Sequence, residues 1–344
     1  MKINFIDQIK GRKVLVTGGL GFIGHNLVKA LVLDFQCDVI VVDNCVNSNE
    51  SVLSQIHGRY QFEKISVLDT EKLFPLFDGV DYIFHLACIQ IAASSKSPVL
   101  DMQVNAQSTL QMLEFIKTNE LPDLKRFVYT SSCSVFGSSV KLPATEDDPT
   151  KVLSNYAASK LLGENYTMVY GRSYNIPISV VRYSNVYGYG QSPRNPYCGV
   201  LGKFVHNALI GEKLSIFGDG EQTRAFSCID DIVEPLWKSA ILPTASKQII
   251  NLGGVEEWTV NKACEVLRNV IGGGEVVYKE GRHEVKHAIP TWQKSIDILG
   301  FQHKTNFEDG LKDMWEWAQT QPKREQFVWD TYELDNGIYS FWKK

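Results

Sequence analysis

The 344-residue sequence predicts an α/β protein with a doubly wound parallel sheet and a smaller C-terminal α/β domain. Three observations predict this fold. Short apolar runs alternate with helical segments at the spacing of strand–helix–strand units. A glycine-rich turn joins the first run to the first helix, and polar residues follow the ends of several runs. We expect residues 1–182 to form the first domain, which also receives later strands and helices, and residues 183–344 to form mainly the second.

The first strand, turn and helix predict a dinucleotide site. Val14 to Val16 are a buried strand, and a helix follows from Phe22 through Ile23 to Leu33. Between them the glycines have the spacing Gly18-x-x-Gly21-x-x-Gly24. The first two let the backbone turn sharply and approach a pyrophosphate, and the third lets helix and strand pack closely. The N–H groups at the helix start favour phosphate. A plain turn without a ligand is the alternative.

The second strand predicts which dinucleotide binds. The run from Val39 to Val42 ends in Asp43, about twenty residues past the first glycine, where this fold places an acid on the adenosine ribose. A carboxylate there repels a 2′-phosphate, and Asn44 follows without an adjacent arginine. The pattern therefore favours NAD over NADP.

Further strands and helices continue the alternation. After the third strand, Asp69 either accepts from the adenine amino group or caps the next helix. Leu86 and Ala87 end the fourth strand, where a small residue would let the cofactor backbone lie against the strand end. The predicted strands are 60–68, 80–86, 125–130 and 180–183, and the predicted helices are 98–117, which contains Asn105, and 156–172.

Three residues predict proton-transfer chemistry. The fifth strand leads to Ser132 at the carboxyl edge of the sheet, where such sheets bind ligands. Tyr156 and Lys160 follow at i, i+4 spacing, on one face of a helix. A free phenol has a pKa of about 10. A nearby ammonium together with a positive nicotinamide would lower the pKa of Tyr156 and favour its use as a base. Ser132 would share or orient the proton of a substrate hydroxyl.

These motifs resemble those of the extended short-chain dehydrogenases/reductases, in the group of NAD-dependent nucleotide-sugar epimerases and dehydratases, and most of all the 4-epimerases of UDP-glucose and UDP-N-acetylglucosamine. The resemblance covers nearly the whole chain and implies a Rossmann-type first domain. Its motifs are 17–24, Asp43-Asn44, 85–87, Asn105, 129–132, Tyr156 with Lys160, 182–188, 217–220, 222–224 and Asp230-Asp231.

The resemblance also implies a nucleotide-sugar site in the second half. Tyr183 would face the cofactor, Asn185 would touch the substrate phosphates, and Arg224 and Arg282 would clamp the pyrophosphate. Guanidinium forks suit a diphosphate. Val200 would line the substrate pocket, and Phe217 would pack on the base, although a core aromatic is an equal alternative.

The choice of reaction depends on two positions. The related dehydratases carry Asp-Glu where this chain has Cys133-Ser134. Without those carboxylates we predict hydride chemistry alone, in a UDP-hexose or UDP-N-acetylhexosamine 4-epimerase that passes through a 4-keto sugar. The alternatives are an NAD-dependent dehydrogenase, an epimerase at another carbon of a 6-deoxy or heptose nucleotide, and, less favoured, a 4,6-dehydratase or a non-catalytic NAD sensor. Cys133 would line the sugar pocket or be a small core residue.

Composition excludes several other classes. The formal net charge of −4 gives no general attraction to nucleic acid or anionic lipid. We find no signal peptide and no membrane span, and we interpret the seven cysteines as reduced thiols of a cytoplasmic protein. His283-Glu284-Val285-Lys286-His287 matches a zinc-protease pattern, but Gly281 and Pro290 flank it, so we predict no metal.

The resemblance implies a homodimer through a four-helix bundle built from the helices at 98–117 and 156–172.

Overall fold

A computed structural model describes residues 6–138, 141–192, 199–281 and 285–321, together with the short strands 333–334 and 338–339. The strands are β1 Lys13–Thr17, β2 Asp38–Asp43, β3 Tyr60–Lys64, β4 Tyr82–His85, β5 Arg126–Ser132, β6 Ile178–Tyr183, β7 Val186–Tyr187, β8 Leu214–Phe217, β9 Thr223–Ala225, β10 Ser227–Cys228, β11 Ile249–Leu252, β12 Glu257–Thr259, β13 Val276–Lys279, β14 His287–Ala288, β15 Glu333–Leu334 and β16 Ile338–Tyr339.

Helices cover both faces of the main sheet and complete the second unit. They are α1 Ile6–Ile9, α2 Phe22–Leu33, α3 Thr70–Leu73, α4 Ile91–Lys96, α5 Pro98–Met102, α6 Ser108–Asn119, α7 Asn155–Ser173, α8 Val200–Leu209, α9 Ile229–Ile241, α10 Val260–Ile271, α11 Gln293–Leu299 and α12 Phe307–Thr320.

The main sheet has seven parallel strands in the order β11-β6-β5-β4-β1-β2-β3. Strands buried on both faces are apolar along most of their length, and Val14–Val16 and Val39–Val42 show this pattern. The chain order reverses between β1 and β4, and ligands bind outside the carboxyl ends of strands at such a point. The predicted doubly wound α/β fold is confirmed.

Two hydrophobic cores cover the two faces of this sheet. On one face, Leu27 of α2 and Leu236 of α9 belong to one buried cluster. On the other face, Leu113 of α6 and Met168 of α7 belong to another. The helix α9 and the strand β11 come from the second half of the chain and pack with the sheet formed by the first half.

The second unit has its own apolar core. Leu201 of α8, Ile216 of β8, Leu267 of α10 and Leu311 of α12 are buried together in it. Small sheets flank this core, in the strand orders β13-β8 and β12-β9-β14. The elements that carry the predicted substrate residues Val200, Phe217 and Arg224 therefore belong to this unit.

Some elements differ from the sequence prediction. The third strand was expected to run to residue 68, but β3 ends at Lys64, because the Ile65 N–H turns back to the Glu63 carbonyl. The helix predicted over 98–117 extends to Asn119 and contains a π-helical turn at Gln103–Gln107. Sequence patterns did not locate β11, the edge strand of the sheet.

Candidate active site

The glycine-rich turn is so tightly packed that two of its positions exclude any side chain. Gly18 has φ +67°, and a Cβ there would lie 2.7 Å from the backbone nitrogen of Ala87. A Cβ on Gly24 would lie 2.2 Å from the Gly18 carbonyl oxygen. Gly21 is the N-cap of α2 and makes no side-chain cap hydrogen bond, so the first-turn N–H groups of Phe22 and Ile23 are left for another acceptor. This turn fits the pyrophosphate of a dinucleotide.

Asp43 ends β2 beside the glycine turn, and its contact with a ribose stays a prediction. One carboxylate oxygen accepts from the Leu20 N–H at 3.1 Å, which brings the acid beside the glycine turn. The other oxygen accepts from the Cys45 N–H and the Ser48 hydroxyl, each at 2.9 Å. Asn44 is exposed, and its side chain accepts from the Val46 N–H. The loop after β2 is therefore organised around the carboxylate expected to meet the ribose.

Asp69 takes the capping role that the sequence left open. Its side chain accepts from the Lys72 N–H at 3.4 Å and forms an ion pair with the Lys72 ammonium at 2.9 Å. The hydrogen bond to Lys72 lowers the pKa of the Asp69 carboxyl, so an acceptor oxygen is present at neutral pH. An interaction with adenine stays a prediction.

The end of β4 lies directly against the glycine turn. The Leu86 N–H donates to the Thr17 carbonyl at 3.1 Å, and the Ala87 N–H donates to the Thr17 hydroxyl at 3.2 Å. His85 is buried between the Thr17 and Thr109 hydroxyls, at 2.7 and 3.0 Å. Burial lowers the pKa of His85 to about 3, so the ring is neutral and structural. This network fixes Leu86 and Ala87 beside Gly18.

Asn105 is fully buried, and its side chain is committed to protein groups. The amide accepts from the Ile89 N–H at 2.8 Å and donates to the Ile89 carbonyl at 3.0 Å. It also donates to Asp101 at 2.6 Å and to Ser159 at 3.1 Å. Cofactor binding by Asn105 stays a prediction. Its contribution would be to position the loop after β4.

Ser132 ends β5, and Tyr156 and Lys160 lie in the first two turns of α7. The Ser132 side chain interacts with Tyr156 and lowers the pKa of its phenol, and the Ser132 hydroxyl accepts from the Ser134 N–H at 3.2 Å. Lys160 is buried, with its ammonium 4.4 Å from the centre of the Tyr129 ring. The Ser154 side chain caps α7 at the Ala157 N–H and so sets the start of the helix that carries the other two residues.

The pKa of Tyr156 differs from the sequence expectation. Burial raises it above its ordinary value, whereas the Ser132 side chain acts in the opposite direction. Burial also lowers the pKa of the Lys160 ammonium. From the sequence we expect an ammonium together with a positive nicotinamide to lower the pKa of Tyr156. In the protein alone, burial outweighs the effects that lower this pKa. The positive charge of an oxidised nicotinamide would favour the phenolate.

A cavity of about 350 Å³ lies beside Ser132, between the main sheet and the second unit. Every predicted substrate residue in the described part of the chain lines it. These residues are Ser132, Cys133, Asn185, Val200, Phe217 and Arg224, and the predicted cofactor residue Tyr183 also lines it. Arg282 lies outside the described residues. The Cys133 thiol lies 3.6 Å from the Arg182 carbonyl, and burial raises its pKa, so the sulfur is a protonated neutral group in the wall.

The cavity is cationic at its second-unit end. Arg224 on β9 is held by the Thr223 and Lys286 carbonyls, at 2.8 and 3.3 Å. Lys203, one turn into α8, also lines the cavity, and its ammonium is 5.6 Å from the centre of the Phe217 ring. None of the described lining residues is Asp or Glu. The wall therefore suits an anionic group at one end and supplies no carboxylate for acid–base chemistry.

Sequence reasoning missed several lining residues. Lys203 follows Val200 by three positions, so helical spacing places both on one face. Leu153 lies three residues before Tyr156, close enough to that motif to have been considered. Ile91, the first residue of α4, and Leu142, in the segment between β5 and α7, had no sequence signal, because tertiary contacts bring them to the cavity.

The zinc-like histidine run has no metal-site geometry in the residues that are described. His287 is on the strand β14, and its Nδ1 lies 2.8 Å from the Thr223 hydroxyl. His283 and Glu284 lie outside the described residues. Across the described ranges, no His, Cys, Asp and Glu side chains group as a metal would require.

In the same ranges, no helix has both the length and the apolarity needed to cross a bilayer.

The fold and the site together define a class. A dinucleotide turn at the switch point of a parallel sheet, with a Ser–Tyr–Lys group at a neighbouring strand end, is the arrangement of an NAD-dependent short-chain dehydrogenase/reductase. Residues 14–253 match the model of the NAD dependent epimerase/dehydratase family. The chain belongs to this family and is an NAD-dependent enzyme of its nucleotide-sugar epimerase type.

Individual relatives give the same result. A putative UDP-glucose 4-epimerase of Methanocaldococcus jannaschii is 32% identical over 312 residues, which cover 89% of this chain and 98% of that protein. The crystal structure of UDP-glucose 4-epimerase with UDP-glucose from Thermotoga maritima has a TM-score of 0.82 at 31% identity, covering 89% of this chain and 98% of that one. A UDP-glucuronic acid 4-epimerase variant from Bacillus cereus, in complex with NAD, has a TM-score of 0.81 at 28% identity, covering 89% and 98%.

Proposed function

We propose that this protein is a 4-epimerase of a UDP-hexose or UDP-N-acetylhexosamine. One observation carries the proposal: Ser132, whose side chain interacts with Tyr156, lines a cavity in which no described lining residue is a carboxylate. Water elimination needs a separate acid and base for the leaving hydroxyl. Oxidation and reduction at one alcohol need only the proton relay that is present.

The described residues would divide the work between two ends of the cavity. Tyr156 would take the proton of the sugar 4-hydroxyl, with Ser132 orienting that hydroxyl and Lys160 favouring the phenolate. Bound NAD supplies a hydride acceptor that later returns the hydride to the sugar. Arg224 would hold the diphosphate while the 4-keto sugar turns about it and presents its other face. Because the hydride returns to the same carbon, the reaction consumes no cofactor.

The charge distribution supports this division. Lys203 and Arg224 lie in the wall formed by the second unit, and Gly199 caps the α8 N-terminus at the same wall. A helix N-terminus and two cations favour the diphosphate at that end. The sugar is then directed towards Ser132, on the opposite wall.

The test is the Tyr156→Phe variant with a panel of nucleotide sugars. We expect NMR to show C4 inversion by the wild-type protein, with no net formation of NADH. In the variant, turnover should fall by about 10²–10⁴-fold because the proton acceptor is lost, while binding of NAD and UDP persists in calorimetry. Unchanged turnover in the variant would contradict the assignment, and stoichiometric NADH release would favour a dehydrogenase.

A further inference from the structure

Asp101 on α5 is a buried carboxylate that the proposed mechanism does not use. The residue is 1% exposed, and one carboxylate oxygen accepts from the Asn105 amide at 2.6 Å. Among the described residues, Asp101 forms no ion pair. Removing a carboxylate from water costs free energy unless positive charge offsets it, so a buried Asp calls for a cation nearby.

Lys160 on α7 is the corresponding buried cation. It is 2% exposed, and its ammonium lies 4.4 Å from the centre of the Tyr129 ring. That ring attracts a cation but carries no formal charge. Lys160 has no ion pair within the described ranges either. Because α5 packs on α7, the interior between them holds one carboxylate and one ammonium, each without a direct partner.

Hydrogen bonds tie the carboxylate to the helix that carries the ammonium. The Asn105 amide that donates to Asp101 also donates to the Ser159 hydroxyl at 3.1 Å, and Ser159 immediately precedes Lys160. The Tyr129 hydroxyl lies 3.1 Å from the Asn105 carbonyl and 3.2 Å from the Lys160 carbonyl. These contacts hold Asp101 in a fixed place relative to the first two turns of α7.

The other titratable groups around Lys160 do not supply its counter-charge. Glu164, one turn further along α7, is paired with Arg182. Burial shifts the pKa of each of the remaining groups from β4, the segment after it, β5 and α7 in the direction that leaves them uncharged at neutral pH, and these groups are His85, Cys88, Tyr129 and Tyr156. Asp101 is therefore the unpaired carboxylate, among the described residues, whose charge acts on Lys160.

The charges of Asp101 and Lys160 stabilise each other. Burial lowers the pKa of Lys160, which favours the neutral amine, and the Asp101 charge is among the effects that raise it. Burial raises the pKa of the Asp101 carboxyl, and the Ser159 side chain and the Lys160 charge act to lower it. Because a protein interior screens charges weakly, this attraction does not need direct contact.

We propose that Asp101 is a positioning residue for the reaction, the buried counter-charge that keeps Lys160 an ammonium beside the Tyr156 phenol. An uncharged amine would no longer favour the phenolate. Asp101 is not part of the described cavity lining, so it would act without touching the substrate. This inference rests on the proposed function, because it takes Lys160 to act on the phenol as a cation.

The test is Asp101→Asn, which removes the charge and keeps an acceptor oxygen for the Asn105 amide. In NAD-loaded protein with isotope-labelled lysine side chains, NMR follows the titration of Lys160, whose resonance is identified by its loss in Lys160→Arg. We expect the midpoint in Asp101→Asn to fall by about one pH unit or more, because the ammonium loses its counter-charge. Asp123→Asn, at an exposed carboxyl before β5, is the matched control and should leave the midpoint unchanged.

The pH profile of kcat/KM gives a second measurement. In Asp101→Asn the basic limb should move to lower pH, because Lys160 loses its proton at lower pH. The acidic limb should not move to higher pH, because the Asp101 charge raises the pKa of Tyr156 and its removal lowers that pKa. A merely structural role for Asp101 would instead reduce kcat/KM by the same factor at every pH and leave both limbs in place.

Two outcomes would overturn the inference: an unchanged Lys160 midpoint in Asp101→Asn, or an equal fall of the midpoint in Asp123→Asn. Asp101→Ser, which is smaller and also neutral, takes the place of Asp101→Asn if the asparagine variant does not fold. The NMR titration does not depend on turnover. A lowered midpoint in a protein that never inverts C4 would support the inference and refute the proposed function, and C4 inversion with an unchanged midpoint would do the reverse.

Discussion

Ser132 ends β5 and Tyr156 lies in the first turn of α7, and the Ser132 side chain lowers the pKa of the Tyr156 phenol. The Ser132 hydroxyl accepts from the Ser134 N–H at 3.2 Å, which holds the serine in the turn after β5. Burial has the larger effect on Tyr156 and raises its pKa. Ser132 therefore helps set the pH range in which Tyr156 can act as a base.

Ser132→Ala should change the pH dependence as well as the rate. Removing the Ser132 hydroxyl raises the pKa of Tyr156, so the fraction of phenolate falls at any given pH. The acidic limb of the kcat/KM profile should move to higher pH, and turnover at neutral pH should fall by about 10²-fold or more. Steady-state kinetics across pH measure both effects.

Ser131→Ala is the matched control for that variant. The Ser131 hydroxyl is also buried, but it does not line the cavity. Its removal should leave the position of the acidic limb unchanged. If the acidic limb of the kcat/KM profile does not move in Ser132→Ala, or moves equally in both variants, Ser132 does not lower the pKa of Tyr156.

Gly18→Ala should lose NAD affinity by more than tenfold. The added Cβ would meet the Ala87 backbone at 2.7 Å, so the turn or the end of β4 must move. Gly11→Ala is matched in backbone conformation, at φ +69° against +67°, but nothing lies within 4 Å of the added Cβ. That control should lose about 1 kcal/mol of stability and keep its NAD affinity. Fluorescence titration with NADH and thermal unfolding separate the two effects, and equal affinities would contradict the prediction.

Glu164→Gln should destabilise the fold by about 3 kcal/mol, because it leaves the Arg182 charge buried without its partner. The two side chains are 1% and 3% exposed, and the guanidinium contacts the carboxylate at 2.9 and 2.5 Å. The double replacement Glu164→Leu with Arg182→Met should lose less than the single variant. Urea unfolding measures both, and a loss below about 1 kcal/mol for Glu164→Gln would contradict this account.

We expect the protein to be a homodimer that associates through the helical run 98–119 and α7. Val99, Leu162 and Val169 on these helices are 67%, 38% and 51% exposed, although they are aliphatic. Val169→Glu should therefore produce a monomer in light scattering. Ile296→Glu, at an aliphatic residue of α11 that is 39% exposed, should leave the dimer intact. A monomeric wild-type protein would refute the expectation.

The sequence by itself determined the architecture and the location of the chemistry. An apolar run such as Val39–Val42 favours a strand buried on both faces of a sheet. The spacing of Gly18, Gly21 and Gly24 meets the needs of the local backbone. Both patterns can be read from the sequence because each depends on geometry over a short stretch of chain. The Tyr156–Lys160 spacing is of the same kind, since one turn of helix relates the two residues.

Only the tertiary structure decided what surrounds these groups. It paired the Asn105 amide with Ile89, removed enough water from Tyr156 to raise its pKa, and brought Leu142 and Leu153 to the cavity that Ser132 lines. These outcomes depend on which loops pack together across long stretches of sequence, and no local pattern records such contacts. Burial and hydrogen-bond partnership, unlike strand or helix periodicity, are properties of the whole fold.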